Sequence, residues 1–203
     1  MNVQSVNGVV LLPHAPDWRE RVGWKRRWDT VVGETVVGKE ERVALRPRGR
    51  VVLQYLLNPR DDIEGNKLLD RAREVMKTGR ACCPFWGRGI SLPFGATAGA
   101  TVIDIGAEPT WEWDNGDPVF FAHPLPEQYD TFEVATLDRF KGDGKIRLTG
   151  ALTLSYPAGS YVHPLLFGRA KVGDMELLDD WHKATSIDIE ETTTRPTPDP
   201  DTT

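Results

Sequence analysis

The chain has little of what builds disulfide frameworks or membrane spans. Its 203 residues include only two cysteines, the adjacent Cys82 and Cys83. Neighbouring side chains on a strand point to opposite faces, so we expect two buried thiols and neither a disulfide nor a metal site. No apolar run approaches the roughly 18 residues that span a bilayer. Residues 1–16 lack a basic segment and a small-residue cleavage site, so we expect no signal peptide.

Recognisable catalytic motifs are also missing. The four histidines, His14, His123, His163 and His182, are scattered, and none has a Cys, His or carboxylate at the spacing of a metal site. His123 and His163 each precede a proline, which predicts turn-like contexts. There is no nucleophile elbow, phosphate loop or dinucleotide fingerprint. We therefore predict no catalytic residue, no cofactor, no metal and no enzymatic activity, and a hydrolase of unrecognised type is our third-ranked hypothesis.

A cluster of carboxylates between residues 108 and 117 has two interpretations. It contains Glu108, Glu112, Asp114 and Asp117 but lacks the spacing of a calcium loop, which favours a solvated loop. The tryptophans within it could instead bind carbohydrate, so a host-recognition or carbohydrate-binding module is our alternative hypothesis.

The net charge of −5 is unevenly distributed. Residues 1–60 carry 11 Lys and Arg against 6 Asp and Glu, whereas residues 101–144 carry 2 against 10. Opposite charge on two parts of a subunit suits head-to-tail contacts between copies. The alternative is that both are solvated faces without a partner. Nucleic-acid binding is not predicted, because the whole chain is acidic and the basic residues follow no known motif.

The first half predicts strands around a single helix. Residues 51–57 alternate, with Val51, Leu53, Tyr55 and Leu57 on one face. A helix is predicted over about 62–78. Its start resembles a capping box, Asp61 with Glu64. An apolar stripe of Leu68, Ala72 and Val75, with Leu69 and Met76 beside it, should pack on a sheet, and Gly79 should end the helix.

Short strands separated by turn residues predict an all-β second half. The expected strands are 101–105, 118–122, 131–137, 145–148, 161–166 and 185–191. The Gly-Asp-Gly sequence at 142–144 predicts a hairpin, since glycine tolerates the positive φ of such turns. Residues 175–181 could form one helical turn.

These patterns predict a mostly β fold with a minor helical part. Residues 1–95 should form a β-sandwich or belt-like subdomain with one helix. Residues 96–191 should form a small β-barrel or sandwich with a returning C-terminal strand, after a boundary near residues 95–99. Residues 192–203 hold only Thr, Pro, Asp and Arg, so we expect a tail that is disordered or extended along a neighbour.

Two stretches of the first half belong to one pattern: Trp-Asp-Thr-Val at 28–31 and Gly-Lys-Glu-Glu-Arg-Val-Ala-Leu-Arg-Pro-Arg at 38–48. This pattern resembles one in tail proteins of tailed bacteriophages. The second half is similar to a small β module of phage virion proteins. Its marks are Ala-Gly-Ala-Thr at 98–101, Gly-Asp at 116–117, Gly-Ala-Leu-Thr-Leu at 150–154, Tyr-Pro-Ala-Gly at 156–159 and Val-His-Pro at 162–164.

The resemblance covers about residues 24–172 and implies a virion structural protein of the tail tip or baseplate. The subunit would resemble a distal tail protein or a related minor tail protein, acting in a ring or as an adaptor. Its implied partners are copies of itself and other phage tail proteins of the tube, hub or fibre. It would be assembled in the host cytoplasm and reside in the virion tail. The resemblance brings no catalytic residues.

Two clusters of aromatic and basic residues are our candidates for assembly surfaces. The first contains Trp18, Trp24, Arg26, Arg27 and Trp28, and the second contains Trp111 and Trp113. Buried aromatic and arginine side chains often dominate the energy of protein interfaces. The alternative is that each tryptophan closes the core of its own chain.

Overall fold

The computed structural model describes eleven segments of the chain. They are residues 4–17, 19, 22–27, 30–34, 40–44, 50–57, 62–106, 113–124, 131–173, 176–179 and 182–192. This described part is mostly β with one α-helix and a large open sheet, which confirms the predicted fold class.

The strands and helices follow one another in this order: β1 (Ser5–Val6), β2 (Val9–Leu11), β3 (Gly23–Arg27), β4 (Thr30–Glu34), β5 (Glu40–Ala44), β6 (Arg50–Leu57), α1 (Asp62–Thr78), β7 (Arg80–Pro84), a 3₁₀ turn (Trp86–Arg88), β8 (Ile90–Ser91), β9 (Val102–Asp104), β10 (Pro118–Ala122), β11 (Phe132–Gly142), β12 (Lys145–Leu148), β13 (Tyr161–Val172), β14 (Glu176–Asp179) and β15 (His182–Glu191).

The chain divides into two compact units, and each is built from separate stretches of sequence. The first unit combines Met1–Ala15 with Cys82–Leu166, and the second combines Pro16–Ala81 with Phe167–Thr203. The predicted boundary near residues 95–99 does not coincide with this division. A β-bridge joins Ala96 to Tyr156 and so ties this stretch into the first unit.

The strand order through the first unit is β1-β2-β7-β13-β10-β11-β12-β9, and β8 also pairs with β13. Residues 80–81 of β7 and 167–172 of β13 belong to the second unit, and Gly168–Val172 pairs there with β15. The register places Phe120 opposite both Val134 and His163, and Ile146 opposite Ile103. A hydrophobic cluster forms part of the core of this unit. Its members are Leu92, Ile103, Ile105, Trp113, Val119, Phe121, Leu137, Ile146, Leu148, Leu152, Tyr156 and Val162.

The hairpin between β11 and β12 forms where Gly-Asp-Gly predicted it. Gly142, Asp143 and Gly144 have φ values of 75°, 52° and 69°. This is the left-handed region that glycine and aspartate tolerate best. The turn therefore sets the register in which Ile146 and Leu148 face the core and Lys145 and Arg147 face solvent.

In the second unit β6 lies between β3 and β15, and β14 pairs with β15. The predicted inner face of β6 is confirmed: Val51, Leu53, Tyr55 and Leu57 are all 3% exposed or less. Alternation along the strand put these four side chains on one side of the sheet.

Helix α1 also belongs to the second unit and matches its predicted range. Leu68, Ala72 and Val75 are fully buried. Met76 was expected beside this stripe, but it is 61% exposed because it lies one residue beyond Val75, about 100° around the helix. Gly79 ends the helix with φ of 65°, and its N–H donates to the Val75 carbonyl at 2.7 Å. Asp61, the expected cap, lies outside the described residues.

The predicted helical turn at 175–181 is wrong. Residues Glu176–Asp179 form β14, with Glu176 opposite Ala184 and Leu177 opposite Lys183. Pairing with β15 satisfies backbone groups that a single helical turn would leave without partners. The predicted tail covers residues 192–203. Its first residue, Thr192, is described, and its N–H donates to the Phe167 carbonyl at 3.0 Å, whereas residues 193–203 lie outside the part of the chain that the structure describes.

Strands β4 and β5 form a two-stranded ribbon outside the large sheet. Thr30 pairs with Ala44 and Glu34 with Glu40 in an antiparallel register. In the described ranges neither strand pairs with any other strand. Along the chain the ribbon lies between β3 and β6, and it forms a two-stranded sheet of its own.

Candidate functional site

The first predicted assembly surface is described in part, on strand β3 of the second unit. Trp24 is 45% exposed, Lys25 and Arg27 are exposed, and Arg26 is half-buried. Glu190 of β15 accepts ion pairs from Arg27 at 3.6 Å and from Arg50 at 3.7 Å. Strand β3 therefore presents an aromatic side chain among cations, and one of these cations, Arg27, shares the Glu190 carboxylate with Arg50 of β6.

The other predicted tryptophans have different outcomes. Trp18, Trp28 and Trp111 lie outside the described residues. Trp113 is only 8% exposed, belongs to the core of the first unit and packs 6.4 Å from the Phe140 ring. Its burial favours the alternative that it closes the core of its own chain, so we leave it out of the proposed surface.

An open groove of about 600 Å³ lies within the first unit. It is lined by residues 94–97, 102–104 and 155–157 with Ala100 and His123. Phe94 is 79% exposed and Val102 is 40% exposed. Exposed apolar side chains that line one depression can form a contact surface, and grooves of this volume commonly hold ligands.

A tight backbone arrangement forms one wall of this groove. The N–H of Ala96 donates to the Tyr156 carbonyl, and the N–H of Tyr156 donates to the Ala96 carbonyl, both at 2.7 Å. The Ser155 hydroxyl accepts from the N–H of Ala98 at 2.9 Å. Gly95 has φ of 70°, and a Cβ there would collide with the Tyr156 carbonyl. The wall thus depends on a glycine beside the exposed Phe94.

Strand β9 forms the opposite wall and is the last strand in the sheet order. The N–H of Ile105 donates to Gly144, and the N–H of Leu148 donates to Thr101, at 2.7 and 2.8 Å. In an antiparallel pair alternate residues bond to the same neighbour. Residues 101, 103 and 105 therefore bond to the β12 side, and the N–H and C=O groups of Val102 and Asp104 point to the other edge, which we call the open edge because no strand of the described residues pairs with it.

Two buried polar atoms among the lining residues lack hydrogen-bond partners within the described segments. They are the Tyr156 hydroxyl and Nδ1 of His123. Burial raises the pKa of the Tyr156 hydroxyl, and the nearby Glu133 carboxylate raises it further. The hydroxyl therefore stays protonated and is available as a hydrogen-bond donor.

The Glu133 carboxylate is fixed by the backbone of the neighbouring loop. It accepts hydrogen bonds from the N–H groups of Thr153 at 2.9 Å and Leu154 at 3.2 Å. Hydrogen bonds to a charged acceptor are stronger than those between neutral groups. Glu133 thus anchors the loop that leads to Tyr156.

His163 lies in an aromatic cluster of the first unit and is 4% exposed. Its ring centroid is 4.8 Å from Trp86 and 5.9 Å from Tyr161. Burial lowers its pKa from 6.5 to about 4, although a backbone hydrogen bond with Phe85 acts in the opposite direction. The predicted turn-like context is wrong, since His163 sits within β13.

Both cysteines are buried, as the sequence predicted. The Cys82 thiol lies 3.5 Å from the Val10 carbonyl and 3.7 Å from the Val9 carbonyl. Burial raises the pKa of the Cys82 thiol far above the usual range, and the neighbouring Cys83 contributes to a smaller extent. A thiol held neutral in this way is a poor nucleophile.

The described segments lack both a cluster of metal-ligating side chains and a membrane-spanning helix. Those segments contain no group of three or more His, Cys, Asp or Glu side chains arranged to hold a metal ion. They also contain no helix with the length and apolar character needed to cross a membrane.

The chain matches no protein-family model, and no curated protein is significantly similar to it.

The groove was not predicted from the sequence, in which His123 was only one of four scattered histidines. The one available signal was the small-residue sequence at 95–99, which was interpreted as a subdomain boundary. Glycine inside an apolar pattern also marks a close approach of two backbone segments, and that is its role at Gly95.

Proposed function

We propose that this protein is a non-enzymatic structural subunit of a phage tail, in the tail tip or baseplate. It would act through protein–protein assembly, as a ring-forming or adaptor subunit. Its partners would be copies of itself and tube, hub or fibre proteins, and it would reside in the virion after assembly in the host cytoplasm. The order of the phage-like motifs in the sequence supports this proposal. The main structural observation in its favour is the two-stranded ribbon of β4 and β5.

An isolated two-stranded hairpin is at best marginally stable in water. Strands β4 and β5 pair with each other and, in the described ranges, with no third strand. A ribbon of this kind gains stability when another polypeptide packs on its face or pairs with its edge. This arrangement suits a subunit whose ribbon is completed by a neighbour.

Strand β3, which leads into the ribbon, supplies a second element of the proposed interface. Trp24 is large, apolar and half exposed, and the exposed Lys25 and Arg27 lie beside it. Residues 1–60 have an excess of cations and residues 101–144 an excess of carboxylates. A basic surface of one copy facing an acidic surface of the next would fix a head-to-tail register.

The mass of the protein in solution tests the proposal. Light scattering at two protein concentrations, each at low and high salt, should give a mass that rises with concentration and falls with salt, because exposed charge pairs are screened. Arg27→Glu should reduce assembly at low salt. Arg73→Glu is the matched control, since Arg73 is exposed on α1 and forms an ion pair with Asp70 at 3.5 Å.

A neighbour other than a second copy would require a broader test. If the protein stays monomeric under all conditions, self-assembly in a ring is wrong, and binding to an isolated tail tube or hub protein becomes the deciding measurement. Turnover of any substrate that is abolished by changing one histidine or carboxylate would overturn the non-enzymatic assignment.

A further inference from the structure

We propose that the open edge of β9 and the adjoining groove bind the C-terminal segment, residues 193–203, of a second copy as an added strand. This inference rests on the proposed function, since it names one contact by which copies would assemble. It assigns the groove of the first unit a specific occupant.

The backbone of β9 is ready for such pairing. Its hydrogen bonds to β12 use residues 101, 103 and 105, and the N–H and C=O groups of Val102 and Asp104 point to the other side. Unpaired edge groups are a template for an additional strand, and many peptide-binding domains use this mode. Val102 and Asp104 together offer two donors and two acceptors.

The groove beside this edge supplies the side-chain contacts. Phe94 and Val102 are both exposed apolar side chains, and they lie at the two walls of the depression. A bound strand would cover both of these side chains. Such burial removes apolar surface from water, which favours binding.

The segment 193–203 has a pattern that fits one-sided pairing. Pro196, Pro198 and Pro200 occupy every second position. In a strand, alternate residues direct their backbone groups to opposite edges. The prolines would therefore all face away from β9, where a missing N–H has no effect on the pairing, while residues 195, 197, 199 and 201 would face it.

The same prolines favour this conformation before binding. Proline restricts the residue before it to extended backbone, and this applies to Arg195, Thr197 and Asp199. A segment that is already biased toward an extended form loses less entropy when it pairs. Its outward prolines would also prevent a further strand from adding to the new edge.

Charges near the groove are compatible with this occupant. Lys145 and Arg147 lie opposite Asp104 and Val102 in the register and are exposed. Arg147 also forms a 3.4 Å ion pair with Asp138. The segment carries Arg195 as well as Asp199 and Asp201, so its charges of either sign can find opposite charges along this part of the sheet.

Binding of a labelled peptide to a shortened protein tests the inference. The protein would end at Thr192, so that its own segment cannot compete, and a fluorescent peptide of residues 193–203 would be titrated by anisotropy. We expect saturable binding. Val102→Pro removes one edge N–H, and this N–H makes no bond to β12. The substitution should therefore weaken peptide affinity by about tenfold, which corresponds to the loss of one backbone hydrogen bond.

Three controls separate pairing from other effects. Val102→Ala keeps the N–H and should bind more tightly than Val102→Pro. A peptide in which Thr197 and Pro198 are exchanged has the same composition but places a proline toward the edge, and it should bind about tenfold more weakly. Circular dichroism and thermal melting check folding, and Asp104→Pro replaces Val102→Pro if that variant does not fold.

The outcomes distinguish this inference from the proposed function. Absence of peptide binding up to millimolar concentration, or equal affinity for both peptides, would overturn the inference. If the shortened protein still assembles to the same mass as the full chain, the proposed function stands and the segment is not the contact. If the peptide binds but the full chain stays monomeric, the groove recognises the segment and ring assembly is wrong.

Discussion

Ala96 and Tyr156 exchange two backbone hydrogen bonds, each 2.7 Å long. This pair brings a small-residue loop against a second loop 60 positions later in the chain. The exchange leaves Phe94 exposed on one side and places the Tyr156 ring in the core on the other. This contact forms one wall of the groove, and β9 forms another part of its lining.

The glycine beside this pair should be sensitive to substitution. In Gly95→Ala the new Cβ would meet the Tyr156 carbonyl at a backbone φ of 70°. We expect a loss of about 2–3 kcal/mol in the free energy of unfolding, since steric overlap adds to left-handed strain. Gly99→Ala is the control, because its φ is 88° but nothing lies within 4 Å of the added atom. Its loss, measured by urea denaturation, should be about 1 kcal/mol.

The stability of the protein should depend on pH through His163. Its pKa is about 4 in the folded protein and 6.5 as the reference value. Between these values the unfolded chain binds more protons, so stability is highest above about pH 6.5 and falls as the pH drops toward 4. The loss at this residue amounts to at most about 3 kcal/mol.

Urea denaturation at a series of pH values measures this dependence. His163→Gln cannot titrate in this range, so its pH dependence should be flatter than that of the original protein. The histidine at position 123, which is only half-buried, provides a comparison through His123→Gln. Identical curves for the protein and His163→Gln would contradict the prediction.

The two described tryptophans in the predicted assembly surfaces should respond differently to removal. Trp113→Ala opens a cavity in the core of the first unit and should cost about 3–5 kcal/mol of stability. Trp24→Ala removes a half-exposed side chain and should cost less than about 1 kcal/mol, while reducing the mass measured by light scattering. Denaturation and light scattering on both variants check this contrast. A large stability loss in Trp24→Ala would assign this residue to the core instead.

Neither cysteine should react in the folded protein. Both thiols are fully buried, and burial raises the pKa of Cys82. Because the thiolate is the reactive form, an aromatic disulfide reagent should modify no thiol under native conditions and two after denaturation. Rapid modification of one thiol in the native protein would show that the β2 and β7 region opens readily.

Local patterns in the sequence determined several elements of this protein. Alternation predicted the buried face of β6 at Leu53 and Tyr55, and a 3.6-residue period with a terminal glycine predicted α1. Gly-Asp-Gly predicted the hairpin around Asp143. Each of these features depends on residues that are close together in the chain, so local chemistry is sufficient to define it.

Other features were decided only by tertiary structure. Whether Glu176–Asp179 forms a strand depends on β15 as a neighbour, and the exposure of Phe94 depends on the distant Tyr156 loop. The sequence determined which residues alternate or turn. Only the tertiary structure decided which strands meet, which edge stays open and which aromatic side chain remains at the surface, because these outcomes depend on contacts between residues far apart in the chain.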